Sequence, residues 1–322
     1  MRAAVYTASG GTEVIQFRDL SSPVPADHQI RVRVHAAGLN RADIHQRRGH
    51  YPAPPGWPAD VPGLEYAGVI DALGPDVTQW TAGDRVMGLV GGGAHAECVV
   101  VHEDEVLPVP AGMSLTDAAA IPEAFLTAYD ALAIRGRLQP GERVLIHAVA
   151  SGLGTATLQV ARVLGAAVVL GTSRTGAKLE RARQLGLDVT IDTTAGSFPE
   201  QVGDSVDVIL DVLGASAWSE NLAVLGPRGR LIMLGFLGGA TTQADFTLVL
   251  RKRLEVIGSM MRTRSLEERI SLVSAFREEM LPHFTDGSLK PVVGATYPMT
   301  DLVEAHQAME RNETFGKVVL IL

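Results

Sequence analysis

The segment Val144-Leu145-Ile146-His147-Ala148-Val149-Ala150-Ser151-Gly152-Leu153-Gly154-Thr155-Ala156 constrains this chain more than any other. An apolar strand runs into a turn of small residues, and a helix-forming stretch leaves it. At such a helix N-terminus the first N–H groups have no intrahelical partner and the positive end of the helix dipole faces outward, which favours a pyrophosphate. Small residues let the backbone approach phosphate oxygens, and Gly154 permits close packing of helix on strand. The strict G-x-G-x-x-G pattern is not met, because Val149 and Ser151 stand at the first two glycine positions. Ala150, Ser151, Gly152, Leu153 and Gly154 are read as a dinucleotide-binding turn, with a plain βα turn as the alternative.

What surrounds the turn supports the first reading. Strand-like runs at 143–147, 168–171, 189–192, 206–211, 230–234 and 254–258 alternate with helical spacing at 155–164, 177–185 and 215–225. Alternating β and α implies a doubly wound parallel sheet. Before residue 122 the texture differs. Short β-branched runs at 29–35, 68–73, 84–89 and 94–101 are separated by Pro or Gly clusters, the pattern of a small mostly-β domain. Tyr51–Pro62 carries five prolines and is expected as a stiff loop. A helix is expected over 266–283 and a last strand over 318–321, which returns to the first domain.

The nucleotide can be narrowed. NAD-binding folds place an acid about 20 residues after the turn, at the end of the second strand, to bind the ribose 2′-OH. Here that strand ends Leu170-Gly171-Thr172-Ser173-Arg174, with no acid. Ser173, Arg174 and Lys178 offer a hydroxyl and two cations, which suit the 2′-phosphate of NADPH. The alternative is that Arg174 and Lys178 begin a solvated helix face.

Composition closes other routes. The chain has 322 residues, enough for about two domains. No apolar run reaches the ~18–20 residues of a membrane helix, and the opening residues show no apolar leader. A net charge of −8 argues against general nucleic-acid binding. One cysteine, Cys98, excludes an internal disulfide and fits a cytoplasmic protein.

At these residues the chain resembles the medium-chain dehydrogenase/reductases. It is most similar to their zinc-free quinone oxidoreductase (zeta-crystallin-like) branch, and within it to the tumour-suppressor-inducible quinone oxidoreductases. The resemblance spans essentially the whole chain. Its motifs are Gly38–Asp43, Gln46–Tyr51, Gly63-Leu64-Glu65, Ala118–Thr127, His147–Gln159, Leu210–Gly214, Leu234–Gly239 and Gly316–Leu320. It implies a GroES-like catalytic domain over 1–122 and 263–322, and a Rossmann NADPH-binding domain over 123–262 with the cofactor in the cleft. By position it places Asn40 and Thr127 near the nicotinamide and Ala150–Gly154 at the pyrophosphate. Ser173, Arg174 and Lys178 fall at the 2′-phosphate, and Leu234, Gly235 and Phe236 beside the carboxamide. Tyr51 would face the nicotinamide across the substrate cleft, either positioning a flat quinone or packing on the prolines. Thr193 stands where relatives often carry a tyrosine. A homodimer through the edge strand Leu254–Ser259 is implied as well.

Zinc relatives use Cys and His ligands on the first domain. Their positions here hold Asn40 and Leu64, although Glu65 remains, and the four-cysteine lobe is absent, so no metal is expected. His45 and His50 are read as surface groups, His147 and Cys98 as core, and His95 as either cleft-lining or packed. Without a Lewis acid the acceptor must already be electrophilic. An NADPH-dependent quinone oxidoreductase is therefore expected, with Asn40 and Tyr51 as catalytic residues. Reduction of an activated C=C, or NADPH binding with little turnover, are the alternatives.

Overall fold

The computed structural model describes residues 1–322, which form two compact units: Met1–Leu126 with Met261–Leu322, and Thr127–Met260. The second unit is one continuous stretch of chain, while the first is assembled from segments on either side of it.

The second unit is built on a six-stranded, wholly parallel sheet. In spatial order its strands are Val189–Asp192, Val168–Ser173, Arg143–Ile146, Val206–Asp211, Leu225–Met233 and Glu255–Gly258. The chain runs outward from the central strand Arg143–Ile146, then returns to its other side at Val206. This is the Rossmann order, and the strand order reverses between those two neighbours. Leu145, Leu170, Ile191, Ile209 and Leu231 are fully buried at the centre of the core. Helices Gly152–Val163 and Gly176–Gln184 end before Gly165 and Gly186, whose φ angles of 86° and 98° stop each helix in the left-handed region.

Some boundaries differ from the sequence pattern. The fifth strand begins at Leu225, five residues before the expected 230; its first half carries Gly226, Pro227 and Gly229 and lacks β-branched residues, so it bears no strand signal in the sequence. The stretch expected as one helix over 266–283 is Leu266–Glu279 followed by a separate turn at Pro282–Thr285. A proline cannot donate the N–H that would continue the first helix. Residues 94–97 form only an isolated antiparallel bridge, Ala96 to Ala3, and the continuous strand starts at Cys98.

In the first unit a seven-stranded sheet centres on the long strand Gln29–Leu39. That strand pairs antiparallel with Glu65–Leu73, with Lys317–Ile321 near its end, and with Cys98–His102 near its start. Ile30, Val32, Tyr66, Ile70 and Val86 make its core. The pairing sets Val318 opposite Leu39, and Gly38 opposite Glu65. Residues far apart in sequence thereby meet at one end of the central strand. The proline-rich segment from Tyr51 to Pro62 forms neither helix nor strand.

Candidate active site

In the Rossmann unit every candidate turn lies at the carboxyl end of a strand of the parallel sheet, the position where open α/β sheets bind ligands. After Arg143–Ile146 the chain turns through Ala148, whose φ of 51° is left-handed without being glycine. Such strain persists only where surrounding contacts enforce it. Thr172 holds this turn from the next strand: its hydroxyl accepts from the Ala148 N–H at 3.2 Å, and its carbonyl from Val149 at 3.0 Å. Ser151 is the helix N-cap, its hydroxyl accepting from the Gly154 N–H at 2.9 Å. That leaves the Gly152 and Leu153 amides open at the helix end. A Cβ on Gly154 would lie 2.5 Å from Ala148 O and 2.6 Å from Val149. The cradle therefore fits a pyrophosphate, and only glycine fits at 154.

The second strand ends at Ser173, which is partly exposed and accepts from Thr175 N at 3.2 Å. Arg174 is exposed, and Lys178 lies half-buried on the first turn of the next helix. Burial lowers the Lys178 ammonium from its ordinary value, with the charges of Arg174 and Arg181 adding to the effect. Leu234 is anchored through its N–H to Asp211 O at 2.8 Å, while Phe236 is exposed. The Asp211 carboxylate ties the neighbouring turn by accepting from Leu213 N at 2.7 Å and Gly214 N at 3.2 Å. Thr127 is buried on the helix Pro122–Tyr129, and its hydroxyl has no hydrogen-bond partner. His147 is core, with Nδ1 at 3.1 Å from the Thr172 hydroxyl and Nε2 at 2.7 Å from Asn221 Oδ1.

The first unit holds a different kind of site. Asn40 follows the central strand and precedes the helix Arg41–Arg47. Its amide donates to Glu65 Oε1 at 2.9 Å, and its Oδ1 accepts from the Lys317 ammonium at 2.6 Å. Lys317 also forms a direct ion pair with Glu65, and both side chains are essentially buried. Glu65 Oε2 accepts from the Glu123 N–H at 2.8 Å. Gly38 makes the room: a Cβ there would sit 2.1 Å from Glu65 Oε1. Asp43 braces the network by accepting from Asn40 N at 2.8 Å and Gly63 N at 3.1 Å.

Tyr51, at the start of the proline loop, is half-buried and held by Arg262. The guanidinium lies 4.9 Å from the centre of its ring and donates to its carbonyl at 2.7 Å. Arg262 further donates to Gln46 Oε1 at 2.7 Å and Gly91 O at 2.8 Å. Burial first, and the Glu123 charge second, push the phenol up to about 12. It therefore stays protonated across the ordinary pH range and can donate a hydrogen bond.

No group of three or more His, Cys, Asp or Glu side chains is arranged to hold a metal ion. At the position of the catalytic metal in zinc relatives, Asn40 and Leu64 supply no ligand of the usual type, and Glu65 is engaged by an ammonium. The donor set does not fit zinc. His95 is fully buried, with Nε2 3.3 Å from Gly38 O, so it packs. His50 is exposed and His45 half-buried. Cys98, expected in the core, is half-buried on a strand, and burial raises its thiol. Sequence reasoning did not single out Lys317, Glu123 or Arg262. The available signal was Lys317 itself, one of only four lysines, set in an apolar strand.

Residues 26–111 match the family described as alcohol dehydrogenase GroES-like domain, and residues 152–275 the one described as zinc-binding dehydrogenase. A quinone oxidoreductase of Homo sapiens is 31% identical over 331 residues, covering 100% of this chain and 98% of that protein. The structure of Escherichia coli quinone oxidoreductase complexed with NADPH is 29% identical with a TM-score of 0.90, covering 100% of both chains. The CurK enoyl reductase structure is 27% identical with a TM-score of 0.88, covering 99% of each. No helix is long and apolar enough to cross a membrane.

Proposed function

Since the chain belongs to the medium-chain dehydrogenase/reductase superfamily, in its quinone oxidoreductase branch, we propose that it transfers hydride from NADPH to a quinone without a metal. The observation that carries this reading is the closed Asn40–Glu65–Lys317 network. The one acid left at the metal position of zinc relatives already has its cation. With no Lewis acid to polarise an alcohol or simple carbonyl, the acceptor must be electrophilic by itself. A quinone is, because adding hydride gives a delocalised aromatic anion.

Each residue then has a task. The open Gly152 and Leu153 amides bind the pyrophosphate. Ser173, Arg174 and Lys178 read the 2′-phosphate. The unpartnered Thr127 hydroxyl, with the Leu234–Phe236 backbone, orients the nicotinamide carboxamide. When bound, the reduced nicotinamide supplies the hydride, while the protein supplies orientation. Asn40, fixed by two partners, bounds the reacting face. Tyr51, kept protonated and clasped by Arg262, stacks on or donates to the quinone. The edge strand Glu255–Gly258 pairs on one side only, and we propose that a second copy joins there as a homodimer.

The reading is tested by NADPH oxidation against a panel of quinones and a panel of enones, with elemental analysis of protein purified without chelator. Quinone turnover with less than a tenth of an equivalent of zinc is the expected result. About one zinc per chain, lost together with activity, overturns it. Turnover confined to the enones moves the assignment to activated C=C reduction, the chemistry named for the CurK relative. NADPH binding without turnover in either panel makes the protein a binding protein.

A further inference from the structure

We propose that Glu123 is the proton donor that completes reduction of the acceptor, and that Glu65, Lys317 and Asn40 are arranged to keep the proton on it. The inference rests on the hydride-transfer reading above and adds the source of the second hydrogen.

The Glu65 carboxylate meets the backbone of Glu123 where the helix Pro122–Tyr129 begins, which sets two carboxyl-bearing residues side by side, and the structure treats them unequally. Glu65 is fully buried and receives every donor: the Asn40 amide at 2.9 Å, the Glu123 backbone N–H at 2.8 Å and the Lys317 ammonium. Lys317 is itself held in place by Asn40 Oδ1 at 2.6 Å and Leu39 O at 3.4 Å. The Glu123 carboxyl is offered no hydrogen bond by the protein. Glu123 itself keeps partial access to solvent. Two neighbouring carboxyls resist ionising together, and charge is favoured where donors and a cation stabilise it. Glu65 takes all the donors, and at Glu123, which has none, burial and the Glu65 carboxylate favour the protonated form.

The remaining charged groups around Glu123 come from each neighbouring segment. Asp43 on the helix Arg41–Arg47 adds to the effect of Glu65. Lys317 on the last strand and Arg262 oppose it, and the Tyr51 phenol on the proline loop is neutral. Burial is the largest influence and Glu65 the next, and together they raise Glu123 to about 7. The Tyr51 phenol, raised to about 12, cannot release its proton at that pH. Glu123 can. The division of labour follows: Tyr51 holds the acceptor, and Glu123 supplies the proton.

The step balances. Hydride delivers two electrons and one hydrogen to the quinone and leaves an oxyanion. The O–H bond of Glu123 breaks, an O–H bond forms on that oxyanion, and neutral quinol departs. The Glu123 carboxylate that remains is reprotonated from water.

Glu123→Gln keeps the shape and removes the exchangeable proton, so it is the variant of choice. Wild-type kcat with a quinone is expected to be level below pH ~7 and to fall about tenfold per unit above it. The glutamine variant should be about a hundredfold slower at pH 6, flat across the same range, and unchanged in NADPH affinity. A readout independent of turnover is an infrared titration of the protein without acceptor. It should show a protonated-carboxyl signal that vanishes as pH passes about 7 and is missing from Glu123→Gln. Turnover without that signal, or a variant with the wild-type rate and profile, overturns the inference and leaves the quinone reading intact. The signal without quinone turnover overturns the quinone reading and, with it, Glu123 as donor to a quinone.

Discussion

The two units build their candidate sites from different materials. The Rossmann unit works with backbone. Its candidate contacts are amides, small residues and a strained turn, all close in sequence at the ends of parallel strands. The mostly-β unit works with side chains. Asn40, Glu65 and Lys317 are 25 to 277 residues apart and are joined by hydrogen bonds and a buried ion pair. A backbone cradle binds a group common to many cofactors and tolerates variation in the side chains around it. A buried side-chain network tolerates little, because each member leaves a charge or polar atom unpaired when it is removed.

That contrast predicts its own largest effect. Lys317→Met should destabilise the mostly-β unit by about 3–5 kcal/mol, since it strands the Glu65 carboxylate in the interior. Urea unfolding followed by a probe in that unit is the measurement. A loss below about 1 kcal/mol would mean the network is not held by its ion pair, and the contrast between the units would collapse. On the Rossmann side the matching experiment is gentler. Lys178→Ala should leave folding alone and weaken NADPH by about 1.5–3 kcal/mol, roughly ten- to a hundredfold, with NADH nearly unchanged. Calorimetric titration with each cofactor decides it, and equal weakening of both would show that Lys178 does not read the 2′-phosphate. The smallest effect is expected at Tyr51. The phenylalanine variant should keep most of kcat, and the alanine variant should raise KM for quinone while sparing NADPH binding. Loss of turnover in Tyr51→Phe would make the phenol proton essential and displace Glu123 from the role given to it here.

How much could be read beforehand follows the same division. The parallel sheet and its glycine turn were legible because the signals are local: an apolar run, small residues, then helical spacing. Ser151 shows the limit of that local reading. In the sequence it fills a glycine position of a fingerprint, whereas in the fold it caps the helix, and the Gly152 and Leu153 amides stay open. Asn40 and Leu64 were legible as the wrong types to bind zinc. What occupies Glu65 instead was not, because strand register and not sequence proximity brings Lys317 beside it. Arg262 was missed for a related reason. Its role depends on three acceptors from separate segments, at Gln46, Tyr51 and Gly91, none of which marks the arginine in the sequence. Glu123 drew no notice because its distinguishing property is what its carboxyl lacks, a hydrogen-bond donor, and that is invisible until its neighbours are in place.

The pairing of Glu65 with Lys317 also imposes an order of events at the ribosome. The ammonium is synthesised 252 residues after the carboxylate it neutralises. The whole Rossmann unit, a continuous segment able to collapse as soon as it emerges, is made in between. Until Lys317 arrives, burying Glu65 is costly, so the mostly-β unit has reason to stay loose while its partner unit is already folded. Nascent chains stalled before residue 317 should therefore show a protease-resistant Rossmann unit beside a protease-sensitive remainder.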